Sequence, residues 1–241
     1  MTTAAVVTAA GYGTRLGAVE PKALVPVAGQ PLVAWAIRGI APEVSHLIVT
    51  APPTHVADIQ AAADAVVADF PHLALRVVAG GESRQDSVAL ALDALFDGEW
   101  PIPEVILVHD AARAFMPTEI MRGAVDAVKA GAQGAVPVLT MVDTLVSAPG
   151  PDGQLGDPVD RDSVRAVQTP QVFVAAALRE AHQRARADAG AFATDDAGLL
   201  RRYGFRVVAV PGHASGLKIT HEADLAWANH LAHVSEGEGD A

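Results

Sequence analysis

Thr8-Ala9-Ala10-Gly11-Tyr12-Gly13-Thr14-Arg15-Leu16-Gly17, followed by Glu20-Pro21-Lys22, decides the reading of this chain. The stretch leaves an apolar run (Ala4 to Val7), crosses a glycine-rich bend and presents one arginine and one lysine. A backbone with little side-chain bulk exposes its N–H groups, which then point at an anion. Arg15 adds a planar fork of donors and Lys22 a point charge. Together they outline a cradle for a triphosphate. The rival is the dinucleotide-binding fingerprint, Gly-x-Gly-x-x-Gly at the mouth of a helix, and the spacing argues against it. The third glycine falls one residue late, at Gly17, and Pro21 interrupts the helix that the fingerprint needs. About twenty positions on, where an acidic residue would hold a ribose hydroxyl, the chain reads Pro31-Leu32-Val33-Ala34-Trp35. A glycine-rich surface loop with incidental charges is the plainer reading, and the rest of the chain decides between them.

At 241 residues, half of them apolar, the chain has the length of one large domain with a sizeable core. A net charge of −11 leaves no general basic face, so no nucleic-acid partner is expected and an anionic substrate must be held by a few local cations. Only three lysines, Lys22, Lys129 and Lys218, stand against fourteen arginines, so a lysine at a motif position is informative. The absence of cysteine excludes disulfides, thiolate metal sites and a cysteine nucleophile. No signal peptide is visible and no apolar run approaches the ~18–20 residues of a bilayer span, so a soluble cytoplasmic protein with no membrane partner is expected.

Short β-branched runs alternate with alanine-rich helical stretches. Strands are expected over Ala4–Thr8, His46–Thr50, Leu73–Val78, Val105–His109, Ala135–Leu139, Phe205–Val210 and Leu217–Thr220. Helices are expected over Pro31–Gly39, Thr54–Ala68, Ser83–Phe96, Thr118–Lys129, Val174–Ala187, Asp195–Tyr203 and Glu222–His233. Start signals stand at Ser83 with Asp86, at Thr54 with Asp58, and at Thr220 before Glu222. The alternation predicts an α/β fold, a mostly parallel sheet sandwiched by helices. The segment Ser147–Pro158 breaks the rhythm with three prolines and no apolar period, between extended candidates Thr140–Val146 and Ser163–Gln168. It reads as the tip of a protruding β-arm, packed on a second copy of the chain because an isolated hairpin is marginal in water, or else as a surface loop. The organisation is one domain over residues 1–234, the arm over 140–168, and an acidic flexible tail over 235–241.

Ligands of open α/β sheets bind outside the carboxyl ends of strands. The first strand ends at the glycine-rich loop. The third ends at Ala79-Gly80-Gly81-Glu82-Ser83-Arg84-Gln85-Asp86-Ser87, where two glycines permit close backbone approach and Ser87 offers a hydroxyl. Ser83 and Asp86 form a capping box there whatever else happens nearby. The fourth ends at His109-Asp110-Ala111-Ala112-Arg113. Asp110 is placed to hold a divalent metal among phosphates, or to cap the turn and pair with Arg113, which can itself grip a phosphate bidentately. His109 is a packed strand-end residue on this reading. Lys218, inside an apolar stretch, needs a charged substrate or a nearby carboxylate to offset its burial.

The set, in this order, resembles the 2-C-methyl-D-erythritol 4-phosphate cytidylyltransferase family of non-mevalonate isoprenoid synthesis. The motifs that carry the resemblance are Ala-Ala-Gly-x-Gly-x-Arg-x-Gly (Ala9 to Gly17), Pro21-Lys22, Gly80-Gly81 with Asp86-Ser87, and His109-Asp110-Ala111-Ala112-Arg113. Asp143-Thr144, Asp160-Arg161, Thr169-Pro170-Gln171, Thr194-Asp195 and Lys218-Ile219-Thr220 follow. The first loop with Pro-Lys is common to many nucleotidyltransferases, whereas His-Asp-Ala-Ala-Arg with Asp-Arg, Thr-Pro-Gln and Lys-Ile-Thr is far more specific.

The resemblance implies a Rossmann-like nucleotide-diphospho-sugar transferase fold and transfer of CMP from CTP to the polyol phosphate, with Mg²⁺ or another divalent cation as cofactor. It implies that Ala9, Ala10, Gly11, Gly81, Glu82 and Ser87 surround the cytidine, that Arg15, Lys22 and Lys218 hold the triphosphate and serve catalysis, and that Asp110, Arg113, Thr144, Arg161, Thr169 and Lys218 hold the acceptor phosphate. Thr144 and Arg161 would lie on the arm and reach the neighbouring subunit's site, which implies a homodimer. Thr8 stands where the family often has proline, and Glu82 where Asp is common. A cytidylyltransferase for ribitol 5-phosphate and a non-catalytic nucleotide-binding module are the competing readings.

Overall fold

The computed structural model describes residues 2–13, 20–96, 98, 100–188 and 190–237, with side chains through 234. Arg15 and most of the acidic tail lie outside the described residues. The first half of the chain gives β1 (Thr3–Thr8), the ribbon β2 (Pro26–Val27) and β3 (Gln30–Pro31), α1 (Leu32–Ile40), β4 (His46–Ala51), α2 (Val56–Val67), β5 (Ala74–Ala79), α3 (Arg84–Phe96) and β6 (Val105–Asp110). The second half gives α4 (Thr118–Lys129), β7 (Gly134–Thr140), β8 (Leu145–Val146), β9 (Pro158–Val159), β10 (Arg165–Val167), β11 (Gln171–Val174), α5 (Ala175–Ala187), α6 (Asp196–Arg202), β12 (Val207–Pro211) and α7 (Glu222–Gly237).

The main sheet runs β5-β4-β1-β6-β11-β7-β12, with β10 extending the line of β11 along β7. All neighbours are parallel except β10 and β11, which run against β6 and β7. The alternation of the central strands sorts the core into two layers. Ala5, Val7, Leu47, Val49 and Leu107 face α1, α2, α4 and α7, while Ala4, Val6, Ile48, Ile106 and Val108 face α3, α5 and α6. A strand buried on both faces has no room for a charge until its end, so the polar residues of β1 and β6 collect at Thr8 and Asp110. No helix of the described residues is long and apolar enough to cross a membrane.

Several expectations are corrected. Leu217–Thr220 is not a strand; its backbone makes one bond to the turn that follows β6, Ile219 N–H to the Ala112 carbonyl at 2.8 Å, and it is anchored by the buried Ile219 side chain. Gln171–Val174, which carries no turn signal to separate it from the helix that follows, is the missed strand β11. The arm closes between β8 and β9, with Leu145 opposite Val159, while Arg165–Val167 joins β7 in the main sheet. The capping box stands: Ser83 Oγ donates to Asp86 at 2.7 Å and accepts the Asp86 N–H at 3.0 Å. Thr54 does not cap α2; its hydroxyl bonds His55 and Tyr12. At α7, Asp224 rather than Thr220 does the capping, accepting the N–H groups of Thr220 and His221 at 2.7 and 2.8 Å. That helix continues through Gly237, past the expected start of the tail.

Candidate active site

The carboxyl ends of β1, β5 and β6 open onto a cavity of about 290 Å³. Nine of the expected site residues line it: Ala9, Ala10, Gly11, Lys22, Gly81, Glu82, Ser87, Asp110 and Lys218. Its glycine wall is held tightly. A Cβ on Gly80 would meet the Cβ of Ala10 at 2.6 Å and the hydroxyl of Ser87 at 2.8 Å, and one on Gly81 would collide with Asp86. Gly13, at φ +61°, packs on the Lys22 stem, which a Cβ would meet at 2.6 Å. Only glycine lets the two loops close on each other at these positions. The Ser87 hydroxyl, buried, accepts the Gly81 N–H at 3.1 Å and donates to the Ser83 carbonyl at 2.9 Å. It shapes the loop as well as lining the cavity.

Asp110 is the electrostatic centre. Its Oδ2 accepts from Lys218 Nζ at 2.8 Å, and its Oδ1 from Arg84 Nε at 3.1 Å and from the Thr8 hydroxyl at 3.2 Å. Thr8, the departure from the family's usual proline, thus supplies a donor that proline lacks. Burial pushes the Asp110 carboxyl up, but Arg84 and then Lys218 outweigh it and hold Asp110 well below the ordinary carboxylate range. The expected pairing of Asp110 with Arg113 is absent. Arg113 donates instead to the carbonyls of Gly216 at 2.8 Å and Val167 at 3.1 Å, tying the Lys218 loop to the returning end of the arm. The carboxylate remedy for Lys218 is the one found, and its side chain stays partly exposed.

Thr169 does not line the cavity. Its hydroxyl accepts the Asp110 N–H at 2.9 Å and bonds His109 Nδ1 at 3.0 Å, buried behind the end of β6. Burial, opposed by Asp110 and aided by Arg113, pulls His109 down to about 4, so its ring is neutral at pH 7. Thr144 and Arg161 lie on the arm, exposed, and Arg161 donates to the Val142 carbonyl at 3.0 Å.

Sequence reasoning missed Arg84, which lines the cavity and bridges Asp110 to the buried Asp196. A signal was present: a cation in the first turn of a helix opposes the helix dipole and calls for a carboxylate partner. It also left Gln171 and Asp195 without roles. The fully buried Gln171 donates to Asp195 Oδ2 at 2.8 Å and accepts the Ala197 N–H at 2.9 Å, while Asp195 caps α6 through Gly198. These bonds lock α6 to β11 and so aim Asp196 at Arg84.

A nucleotidyltransferase of the nucleotide-diphospho-sugar transferase fold is the class that this sheet and this cavity define. A model of the family 2-C-methyl-D-erythritol 4-phosphate cytidylyltransferase matches residues 3–233. A protein of that description from Saccharopolyspora erythraea is 47% identical over 232 residues, which are 95% of this chain and 98% of the relative. One from Deinococcus radiodurans is 43% identical over 237 residues, 98% of this chain and 92% of the relative. The crystal structure of the protein so named from Thermus thermophilus is similar at a TM-score of 0.76 and 35% identity, covering 97% of this chain and all of that one. The chain belongs to the 2-C-methyl-D-erythritol 4-phosphate cytidylyltransferase family.

Proposed function

We propose that this chain transfers CMP from CTP to 2-C-methyl-D-erythritol 4-phosphate, releasing pyrophosphate. The observation that carries the reading is the pairing of a glycine-walled cavity with two lysines, Lys22 and Lys218, the second anchored on Asp110. An oxygen of the acceptor phosphate attacks the α-phosphorus of CTP in line; a P–O bond forms there, and the bond from that phosphorus to the bridging oxygen breaks as pyrophosphate departs. The acceptor is already an anion, so no general base is required. The obstacle is repulsion between two polyanions, and the chain meets it by positioning and by preorganised charge. Lys218 meets the crowded α-phosphate, and Lys22 with Arg15 receives the departing pyrophosphate. The loops carrying Ala9, Ala10, Gly11 and Gly81, with Glu82 and Ser87, line the cavity and take the cytidine.

Among the described residues no group of three or more His, Cys, Asp or Glu forms a metal cage. Both oxygens of Asp110 already accept from protein donors. The cavity therefore fits a divalent ion carried mainly by the triphosphate, with Asp110 and Glu82 the carboxylates lining its path, a mode that suits Mg²⁺. When bound, the ion offsets negative charge on the phosphates.

The arm suits a homodimer in which Thr144 and Arg161 hold the acceptor phosphate in the neighbouring site alongside Arg113, with Thr169 contributing indirectly by holding the end of β6. Val142 and Leu155 on the arm are 79% and 75% exposed, apolar surface that a second copy would cover. Pyrophosphate release from CTP, assayed with 2-C-methyl-D-erythritol 4-phosphate and with ribitol 5-phosphate, tests the reading. Turnover is expected with the first acceptor; CTP binding without pyrophosphate release, or turnover only with ribitol 5-phosphate, would sink it.

A further inference from the structure

A chain of alternating charges runs from the back of the molecule to the cavity. His182 on α5 meets Asp196 Oδ1 through Nε2 at 2.9 Å, and Arg84 Nη1 meets Asp196 Oδ2 at 2.6 Å. Arg84 Nε then meets Asp110 Oδ1 at 3.1 Å, and Lys218 Nζ meets Asp110 Oδ2 at 2.8 Å. The residues come from α5, α6, α3, β6 and the loop before α7, so each bond joins two elements that the chain brings together only on folding. His182, Asp196 and Asp110 are buried at 4%, 2% and 7% exposure, and Arg84 lines the cavity. The two carboxylates balance the charges of Arg84 and Lys218.

The geometry points to Arg84 as a positioning residue: anchored from behind by Asp196, it fixes the plane of Asp110 and thereby the place from which the Lys218 ammonium meets the reacting phosphates. This rests on the cytidylyl-transfer reading. The fork is what makes Arg84 suited to the task. Its Nε and Nη1 engage two different carboxylates at once, which the single ammonium of lysine does with no fixed angle between them. Its Nη2 is buried and without a hydrogen-bond partner, so the two carboxylates alone set its orientation. Arg84 engages Asp110 through Nε and Oδ1 alone, and Asp110 keeps Oδ2 for Lys218. Sharing Arg84 between the carboxylates leaves Lys218 aligned on Asp110, on the cavity wall where both residues lie.

Removing Arg84 alone strands the buried Asp196, so the test uses a charge-balanced pair, Arg84→Met with Asp196→Asn, together with Arg84→Lys. Folding is checked by circular dichroism and thermal unfolding, and kcat and KM are measured for CTP and for the acceptor. A misplaced group of this kind costs ~10–100-fold in rate, so the folded pair is expected to lose that much kcat with KM for CTP changed less than about threefold, and Arg84→Lys to recover only part of it. In a Lys218→Ala background the same pair is expected to cost less than about threefold, because its effect acts through Lys218. A kcat near that of the unaltered protein in the folded pair, or losses that simply multiply with that of Lys218→Ala, would overturn the proposal. No turnover by the unaltered protein overturns the cytidylyl-transfer reading and this proposal with it; normal turnover by the unaltered protein and the pair alike overturns only the role of Arg84.

Discussion

The cavity floor and the arm are built on opposite terms. At the floor, Asp110, Thr8, Arg84, Lys218 and Thr169 meet from five separate stretches of chain, and nearly every polar atom has a partner from a distant one. On the arm the hydrogen bonds are mostly local: Ser147 N–H to Asp157, Gly150 N–H to Gln154, Asp162 N–H to Asp160, Arg161 to Val142. The floor buries its carboxylates and closes on itself within one chain. The arm leaves Val142, Leu155 and Arg161 in the open. The contrast teaches where a single chain is sufficient. The charge pairs of the floor are complete within one chain, whereas the arm leaves apolar and charged side chains uncovered.

The strongest way to break this contrast is at Lys218. Lys218→Ala is expected to lower kcat by ~10²–10³, the usual cost of removing a preorganised charge from a reacting centre. A folded Lys218→Ala protein turning over within threefold of the unaltered one would show that the floor does not carry the chemistry.

The arm comes next. A hydrogen bond to a charged group contributes ~1.5–3 kcal/mol, so Arg161→Ala should raise KM for the acceptor by about 10–100-fold and leave KM for CTP alone. Mixing Arg161→Ala with Lys218→Ala sharpens the point. If each arm serves the neighbour, half of the dimers carry one intact site and roughly a quarter of full activity returns. If mixing restores nothing, the arm serves its own subunit and the contrast collapses.

Two smaller effects probe the floor's rigidity. Gly81→Ala forces a Cβ into Asp86 and is expected to cost about 1–3 kcal/mol of stability, read as a lower Tm. An unchanged Tm would mean that the loop yields easily. His109, with its folded pKa near 4 against 6.5 unfolded, stays neutral while the unfolded chain takes up a proton. Stability therefore falls as pH drops through the window from 6.5 to 4, by about 1 kcal/mol between pH 7 and 5.5. Urea unfolding at both values checks this, and His109→Gln should flatten the slope; an equal slope in the variant would remove His109 as its source.

Much of the fold was legible because its signals are local. Alternating apolar runs and alanine-rich stretches set the strands and helices, and Thr118–Lys129 was read to the residue. β11 was missed because Gln171–Val174 leads straight into α5 and its apolar run is continuous with that helix. Leu217–Thr220 was misread as a strand because an apolar flank looks the same whether it pairs in a sheet or inserts one side chain, as Ile219 does. At the site, the glycines and lysines declared themselves by residue type and spacing. The partner of Asp110 did not: Arg113, three residues away, was the local guess, and the answers were Arg84 and Lys218, 26 and 108 positions distant.

By itself the sequence determined the chemical inventory of this protein: glycines that alone permit loop closure, two motif lysines, a carboxylate at the end of a buried strand, and a turn-rich segment unable to build a core. Those are properties of residue type and near spacing, which the chain carries before it folds. Only the tertiary structure decided which charges answer each other. A buried charge is tolerated only beside its opposite, and that neighbour is chosen by where sheet and helices bring distant residues, so Asp196 and Arg84 acquired a joint task that no spacing in the chain announces.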